Sequence, residues 1–307
     1  MKKLIYTLLL LLLLLIFATA NVFAASNGTT ALSFLEMGAG ARYVGMGGAG
    51  TAIANDANTV YWNPGLIAKA KVNAVDLMHA IYAEDASYSY VGLIMKINDK
   101  NAFGVSGQFF TSGEMETFDD TGMETGTITP YDGAVSLAYA LNIKGFGIGA
   151  GAKFIQSQII NTANCYALSF GISFPDLFEE RVLTGFSVTN IGVGEGLKYG
   201  KEIEKLPMGM RFGAGVFLLE NLLITADAGK VEDRDIYVAA GIEYTLEIGK
   251  DMNMALRGGY NTISESGEMS GASAGFGIES KSAALDYAFV PMGNLGDTHR
   301  ISITFFW

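Results

Sequence analysis

The stretch GMGGAG, residues 45–50, sets Gly45, Gly47 and Gly50 at the G-x-G-x-x-G spacing that lets a dinucleotide pyrophosphate approach a backbone. That chemistry needs a strand ahead of the glycines and a helix behind them, so that a helix N-terminus meets the phosphate. Here ALSFLEMGAGARYV precedes them without period-two apolar alternation, and TAIANDANTVYWNPG follows and breaks at Asn63-Pro64-Gly65. With Gly48 between them, the glycines read instead as a compact segment where backbone packs close to backbone, and Asn63-Pro64-Gly65 reads as a turn toward the first strand.

Other residue types with chemical potential are sparse. His79 and His299 are the only histidines, which leaves no set for zinc, and Cys165 is the only cysteine, which excludes an internal disulfide. No nucleophile sits beside a histidine in a known signature, and no paired carboxylates or metal-ligand spacing occur, so neither enzyme chemistry nor a cofactor is expected. Glu114, Glu116, Asp119, Asp120 and Glu124 form an acidic run without a basic residue. It reads as a solvated loop, with surface divalent-cation binding as the alternative.

The elements that must position these residues follow from hydropathy. Lys2 and Lys3 precede the apolar run Leu4 to Phe17 and then small residues, the pattern of an export leader cleaved near residues 20–24. The net charge of −11 offers no basic footprint, which excludes nucleic acid as a partner. Half of the residues are apolar, yet no stretch after the leader reaches the length of a spanning helix.

The apolar residues instead alternate. In DMNMALRGGYN, Met252, Met254, Leu256 and Tyr260 share one face, and Asp251, Asn253, Arg257 and Asn261 the other. DIYVAAGIEYTLE puts Ile236, Val238, Ile242, Tyr244 and Leu246 opposite Glu243, Thr245 and Glu247. Carried along the chain, this period predicts fourteen strands, near 71–80, 86–97, 101–112, 131–143, 145–157, 163–174, 181–190, 206–217, 221–230, 235–246, 251–261, 270–280, 282–290 and 298–307. The two long connections, 113–130 and 191–205, both follow odd-numbered strands and so share a side, as in a transmembrane barrel.

The polar faces choose between a soluble sandwich and a membrane barrel. A sandwich shows that face to bulk water and fills it with charged and hydroxyl groups, whereas GIGAGAKF, MRFGAGVF and GASAGFGIE carry glycine, alanine and serine. Small inward residues suit a closed wall that leaves room for an internal plug. Lys153, Arg211, Asp227, Glu243, Arg257, Asp286 and Arg300 share the inward face. Turned toward lipid, each basic group near the midplane would cost about 2–4 kcal/mol. In the lumen they can contact a plug or line a solute path, or they can pair with one another.

The chain ends in HRISITFFW, where Ile301, Ile303, Phe305 and Trp307 alternate with Arg300, Ser302 and Thr304. A terminal strand that closes on an aromatic is similar to the insertion signal of outer-membrane barrels, and Phe305 and Trp307 would carry it. FLEMGAGARYVGMGGAGTAIANDANTVYWNPGLIA, residues 34–68, resembles the N-terminal motif of the PorV/PorQ family of outer-membrane proteins, related to FadL-type fatty-acid transporters. LDYAFVPMGNLGDTHRISITFFW, residues 285–307, resembles the family's last hairpin.

The resemblance implies an all-β, fourteen-stranded transmembrane barrel over residues 70–307, with residues 25–69 as a hatch in the lumen and residues 1–24 as the leader. Gly45, Gly47, Gly48 and Gly50 would be hatch backbone, Asn55 and Asp56 the hatch turn, and Tyr61, Trp62, Asn63 and Pro64 the segment joining the wall. It also implies an outer-membrane location with the C-terminus in the periplasm. Two functions stay open. One is an accessory of protein export that docks cargo or secretion machinery; the other is passive passage of fatty acids or other hydrophobic compounds.

Overall fold

The computed structural model describes residues 30–82, 85–178, 180–194, 196–199, 202–263, 271–292 and 296–307. The expected leader and the first residues of the expected hatch lie outside them. In chain order the first nine strands are β1 Ala74–Ile81, β2 Ser87–Lys96, β3 Asn101–Thr111, β4 Met115–Phe118, β5 Glu124–Ile128, β6 Tyr131–Ile143, β7 Phe146–Gln158, β8 Thr162–Ser173 and β9 Val182–Val193. The others are β10 Leu197–Tyr199, β11 Glu202–Glu204, β12 Gly209–Leu219, β13 Leu222–Val231, β14 Ile236–Gly249, β15 Met252–Asn261, β16 Ala272–Ser280, β17 Ala283–Pro291 and β18 Asp297–Phe306.

Fourteen of these form one closed antiparallel barrel, and β4–β5 and β10–β11 are separate hairpins. The two connections read as plain loops in the sequence are therefore partly folded. Each hairpin is short and flanked by glycine and acidic residues, so its alternation is too brief to register as a strand. Closure comes from β1 pairing with β18, from Ala74 opposite Phe306 to Ile81 opposite His299. A sheet closed this way leaves no unpaired edge in the bilayer, where a free N–H or C=O finds no water.

Alternation sorts the side chains as the sequence implied. On β1, Ala74, Asp76, Met78 and Ala80 are buried while Leu77, His79 and Ile81 are exposed. On β18, Arg300, Ser302 and Thr304 are buried while Ile301, Ile303 and Phe305 are exposed. The apolar face points outward, toward lipid. Three residues assigned by period depart from this: Glu247 and Asp251, placed inward, are exposed beside the turn between β14 and β15, and Val238, placed outward, is buried. It lies at a strand end where Thr262 folds back, donating its backbone N–H to the Val238 carbonyl at 2.9 Å.

The connections after β1, β3, β7, β9, β13, β15 and β17 lie at one end of the barrel, and both hairpins are there. The opposite end has short turns, apart from the connection 174–181, and the C-terminal Trp307. At one of these turns, Lys144 and Gly145 both take left-handed φ, 53° and 88°, the geometry whose twist matches the flanking strands.

The segment before β1 crosses between the two ends. At the long-loop end the Thr30 N–H and hydroxyl donate to Asp233 Oδ2, each at 2.9 Å. At the other, Asn73 and Trp307 exchange backbone hydrogen bonds. Between them come a 3-10 turn at Ser33–Glu36, helical turns at Ala41–Val44 and Thr59–Trp62, and a 3-10 helix at Pro64–Lys69. Tyr43, Met46 and Trp62 of this segment join Met78, Tyr88, Tyr90 and Ile155 of the wall in one buried apolar cluster. The protein's core thus lies inside the barrel. Tyr61, Trp62, Asn63 and Pro64 belong to this packed interior; the wall begins only at Ala74, because Pro64 starts a further helical segment instead of a strand.

Candidate functional site

The contact between the N-terminal segment and the inner wall is built on glycine. Gly47 has φ +71°, and a Cβ there would lie 2.7 Å from the Tyr260 carbonyl oxygen and 2.8 Å from that of Ala240. Across the seam, a Cβ on Gly259 would run into the Gly47 nitrogen. Similar approaches join Gly149 to the Pro64 carbonyl, Gly171 to the Asn63 side chain, and Gly215 to Ile53. Within the segment, Gly50 lies against the Trp62 indole, 2.7 Å from a would-be Cβ. Such close approaches leave no room for a side chain at these positions.

Polar groups fix the register of this seam. Gly47 N–H donates to Ser273 Oγ at 3.0 Å, and Asn261 Nδ2 donates to the Gly47 carbonyl at 3.0 Å. The Thr51 N–H donates to Asp227 Oδ2 at 3.0 Å. Asn63 Nδ2 donates to the carbonyls of Thr51 (2.9 Å) and Ile172 (3.1 Å), stitching two stretches of the segment and the wall together. Trp62 Nε1 donates to the Ala39 carbonyl at 2.8 Å.

A chain of charges runs from the segment into the wall. Arg42 grips Glu243 with two bonds, Nε to Oε2 at 2.9 Å and Nη2 to Oε1 at 2.7 Å. Arg257 donates from Nε to Glu243 Oε2 and from Nη1 to Asp286 Oδ1, both at 2.6 Å. Two guanidiniums thus alternate with two carboxylates, which balances the charge of a buried group that would otherwise stand alone. Beside it, the Tyr43 hydroxyl donates to Asp56 Oδ2 at 2.8 Å, and the Asn58 N–H donates to Asp56 Oδ1 at 2.8 Å.

The remaining cations are held differently. Arg211 donates from Nε to the Tyr237 hydroxyl at 2.7 Å, and its guanidinium lies 5.2 Å from the Trp62 ring centre. Arg300 donates from Nη2 to the Tyr82 hydroxyl at 2.8 Å and from Nη1 to the Met37 carbonyl. Lys153 donates to Asn190 Oδ1 at 2.8 Å. Arg211 and Arg300 face a cavity of about 420 Å³ between the segment and the wall, with Arg234 and Glu36 in its lining. Arg234 Nη1 is 3.7 Å from Glu36 Oε2, and burial holds the Glu36 carboxyl above the usual carboxylate range.

All seven inward charges read from the sequence are buried. The structure divides them into Glu243, Arg257 and Asp286, which pair together, Asp227, which receives the segment backbone, and Lys153, Arg211 and Arg300, which meet neutral partners. Asn55 is exposed, while Asp56 is buried. Phe305 and Trp307 are exposed on the outer face. Arg42 and Glu36 were not singled out in the sequence. The signal was available, as each is a charge inside a glycine-rich apolar segment, a place where a charge needs a partner.

No curated protein matches this sequence. Among solved structures, the Pseudomonas putida toluene transporter TodX superposes with a TM-score of 0.60 at 11% identity, over 87% of this chain and 96% of that one. A Pseudomonas aeruginosa FadL homologue gives 0.56 at 12% identity, over 86% and 97%. These likenesses establish a shared barrel fold. The family described as type IX secretion system protein PorV matches residues 23–232, more than half of the sequence, and to that family this outer-membrane β-barrel belongs.

Proposed function

We propose that this chain is a sealed outer-membrane barrel that acts as an accessory of protein export, docking exported protein or secretion machinery without conducting solute. The observation that carries this reading is the N-terminal segment, whose glycines meet wall glycines at backbone contact across the lumen. In this reading residues 25–69 are a hatch, held by Arg42 and by the Gly47–Gly259 seam. The family description points to secretion and the fold neighbours to transport, so the role is non-enzymatic. The C-terminus faces the periplasm, since Trp307 shares its end with the tight turns and the longer connections lie opposite.

The test is gentle purification from native membranes, with bound proteins and bound lipids identified by mass spectrometry. Co-purified exported proteins or secretion components, together with no measurable conductance in planar bilayers, are the expected outcome. A stoichiometric fatty acid without any protein partner would overturn it.

A second reading, passage of hydrophobic compounds, draws on the lumenal cavity of about 420 Å³ and on the fold shared with the toluene transporter. It requires the hatch to move.

A further inference from the structure

A second, much smaller space lies in the lumen between the N-terminal segment and strands β6–β9 and β12. Its volume is about 10 Å³, room for one water-sized species. Tyr61 and Pro64 bound it from the segment, and Ser136, Lys153, Ser169, Thr189, Asn190 and Arg211 bound it from the wall. Arg211 is the one residue it shares with the cavity of about 420 Å³. Each of these six wall residues is at least nine-tenths buried.

Two of the six are cations, and no carboxylate lines the space. Lys153 spends one of its three N–H donors on Asn190 Oδ1 at 2.8 Å, and Arg211 spends Nε on the Tyr237 hydroxyl at 2.7 Å. Both acceptors are neutral. The Asn190 amide is held in this orientation because its Nδ2 donates to the Pro207 carbonyl at 3.3 Å. The Ser136, Ser169 and Thr189 hydroxyls make no hydrogen bond among the described residues. The acids that share this part of the lumen turn elsewhere: Glu36 Oε2 is 3.7 Å from Arg234 Nη1, and Asp227 Oδ2 accepts the Thr51 N–H at 3.0 Å.

Two like charges beside one buried space repel each other, and neutral partners do not offset them. A water in the space satisfies the hydroxyls but leaves the charge as it is. An anion answers both needs, since the ammonium, the guanidinium and the three hydroxyls are all donors. Size then sets the class. A space of about 10 Å³ admits a single atom and excludes carboxylate, phosphate and sulfate.

We propose that this space is a binding site for one monatomic anion, a halide of the chloride class, held by Lys153 and Arg211 and joining the N-terminal segment to strands β6–β9 and β12. The site is independent of what the barrel docks or conducts. Its consequence is mechanical: the anion sits where segment and wall meet, so the folded state gains stability with halide concentration.

The test uses the full-length protein in detergent micelles, freed of halide by exchange into sodium gluconate, whose anion is too large for the space. Sodium chloride or sodium bromide at equal ionic strength is expected to raise the midpoint temperature of the folded gel mobility by about 3 °C or more at saturation. Lys153→Met keeps the apolar stem, removes the charge and should abolish that rise. Crystals grown in bromide should show an anomalous scattering peak between the Lys153 ammonium and the Arg211 guanidinium. Should Lys153→Met fail to give the folded gel mobility, the bromide peak in the unaltered protein still tests the site. Equal midpoints in chloride and gluconate, a rise that persists in Lys153→Met, or no bromide peak at the site overturns the proposal, and the space then holds water only.

Discussion

Arg257 is the residue on which the lumenal charge chain depends most. Its side chain is 4% exposed and makes two charge-assisted bonds, to Glu243 and Asp286. Arg257→Met keeps the volume and removes both. Glu243 retains Arg42, but Asp286 is left buried with no other cation at ion-pair distance among the described residues. Hydrogen bonds to charged groups contribute about 1.5–3 kcal/mol each, and breaking a buried pair from one side costs about 3–5 kcal/mol. A ceiling comes from the stranded carboxylate itself, which can take up a proton. At pH 7, from an ordinary value near 3.9, that costs about 4 kcal/mol.

The loss should therefore be about 3–4 kcal/mol. Arg42→Met should lose only about 1–2 kcal/mol, since Glu243 keeps Arg257 and the Arg42 side chain is 18% exposed. The assay is reversible urea unfolding in lipid bilayers, followed by tryptophan fluorescence and by the gel mobility of the folded barrel. Adding Asp286→Asn to Arg257→Met should recover part of the loss, because the uncompensated charge is gone. If Arg257→Met and Arg42→Met cost the same, or if Arg257→Met costs under about 1 kcal/mol, the chain is solvated and the reasoning fails.

Three further outcomes can be checked. Gly259→Val puts a branched side chain where the Gly47 nitrogen sits. It should expel the N-terminal segment, read as protease cleavage within residues 30–60 and as new conductance, while the barrel still folds. Leu256→Arg on the outer face, where Leu256 is 48% exposed, should cost about 2–4 kcal/mol of folding free energy in lipid if that position lies near the midplane. The Cys165 thiol, on the inner face and 3% exposed, should resist a bulky water-soluble maleimide in the folded protein and react fully after denaturation.

The wall was legible in the sequence because each strand carries its own evidence. Met252, Met254 and Leu256 alternate with Asn253 and Arg257 whether or not any partner is known, and lipid on one side with a polar lumen on the other makes that alternation obligatory. The register of closure, Ala74 to Phe306, had no such local sign. Nor did the two loop hairpins, which are too short to show a period.

The site was legible only in halves. Gly47 and Gly259 each look like ordinary loop or strand glycines until they are placed in contact, and nothing in either stretch names the other. The same holds for charge, since Arg42 and Glu243 are two hundred residues apart and only the closed barrel brings them to 2.7 Å. A buried arginine can be predicted to need a partner; which partner depends on closure. Where closure brings no carboxylate to ion-pair distance among the described residues, as for Arg211 and Arg300, tyrosine hydroxyls take its place, Tyr237 accepting from Arg211 and Tyr82 from Arg300.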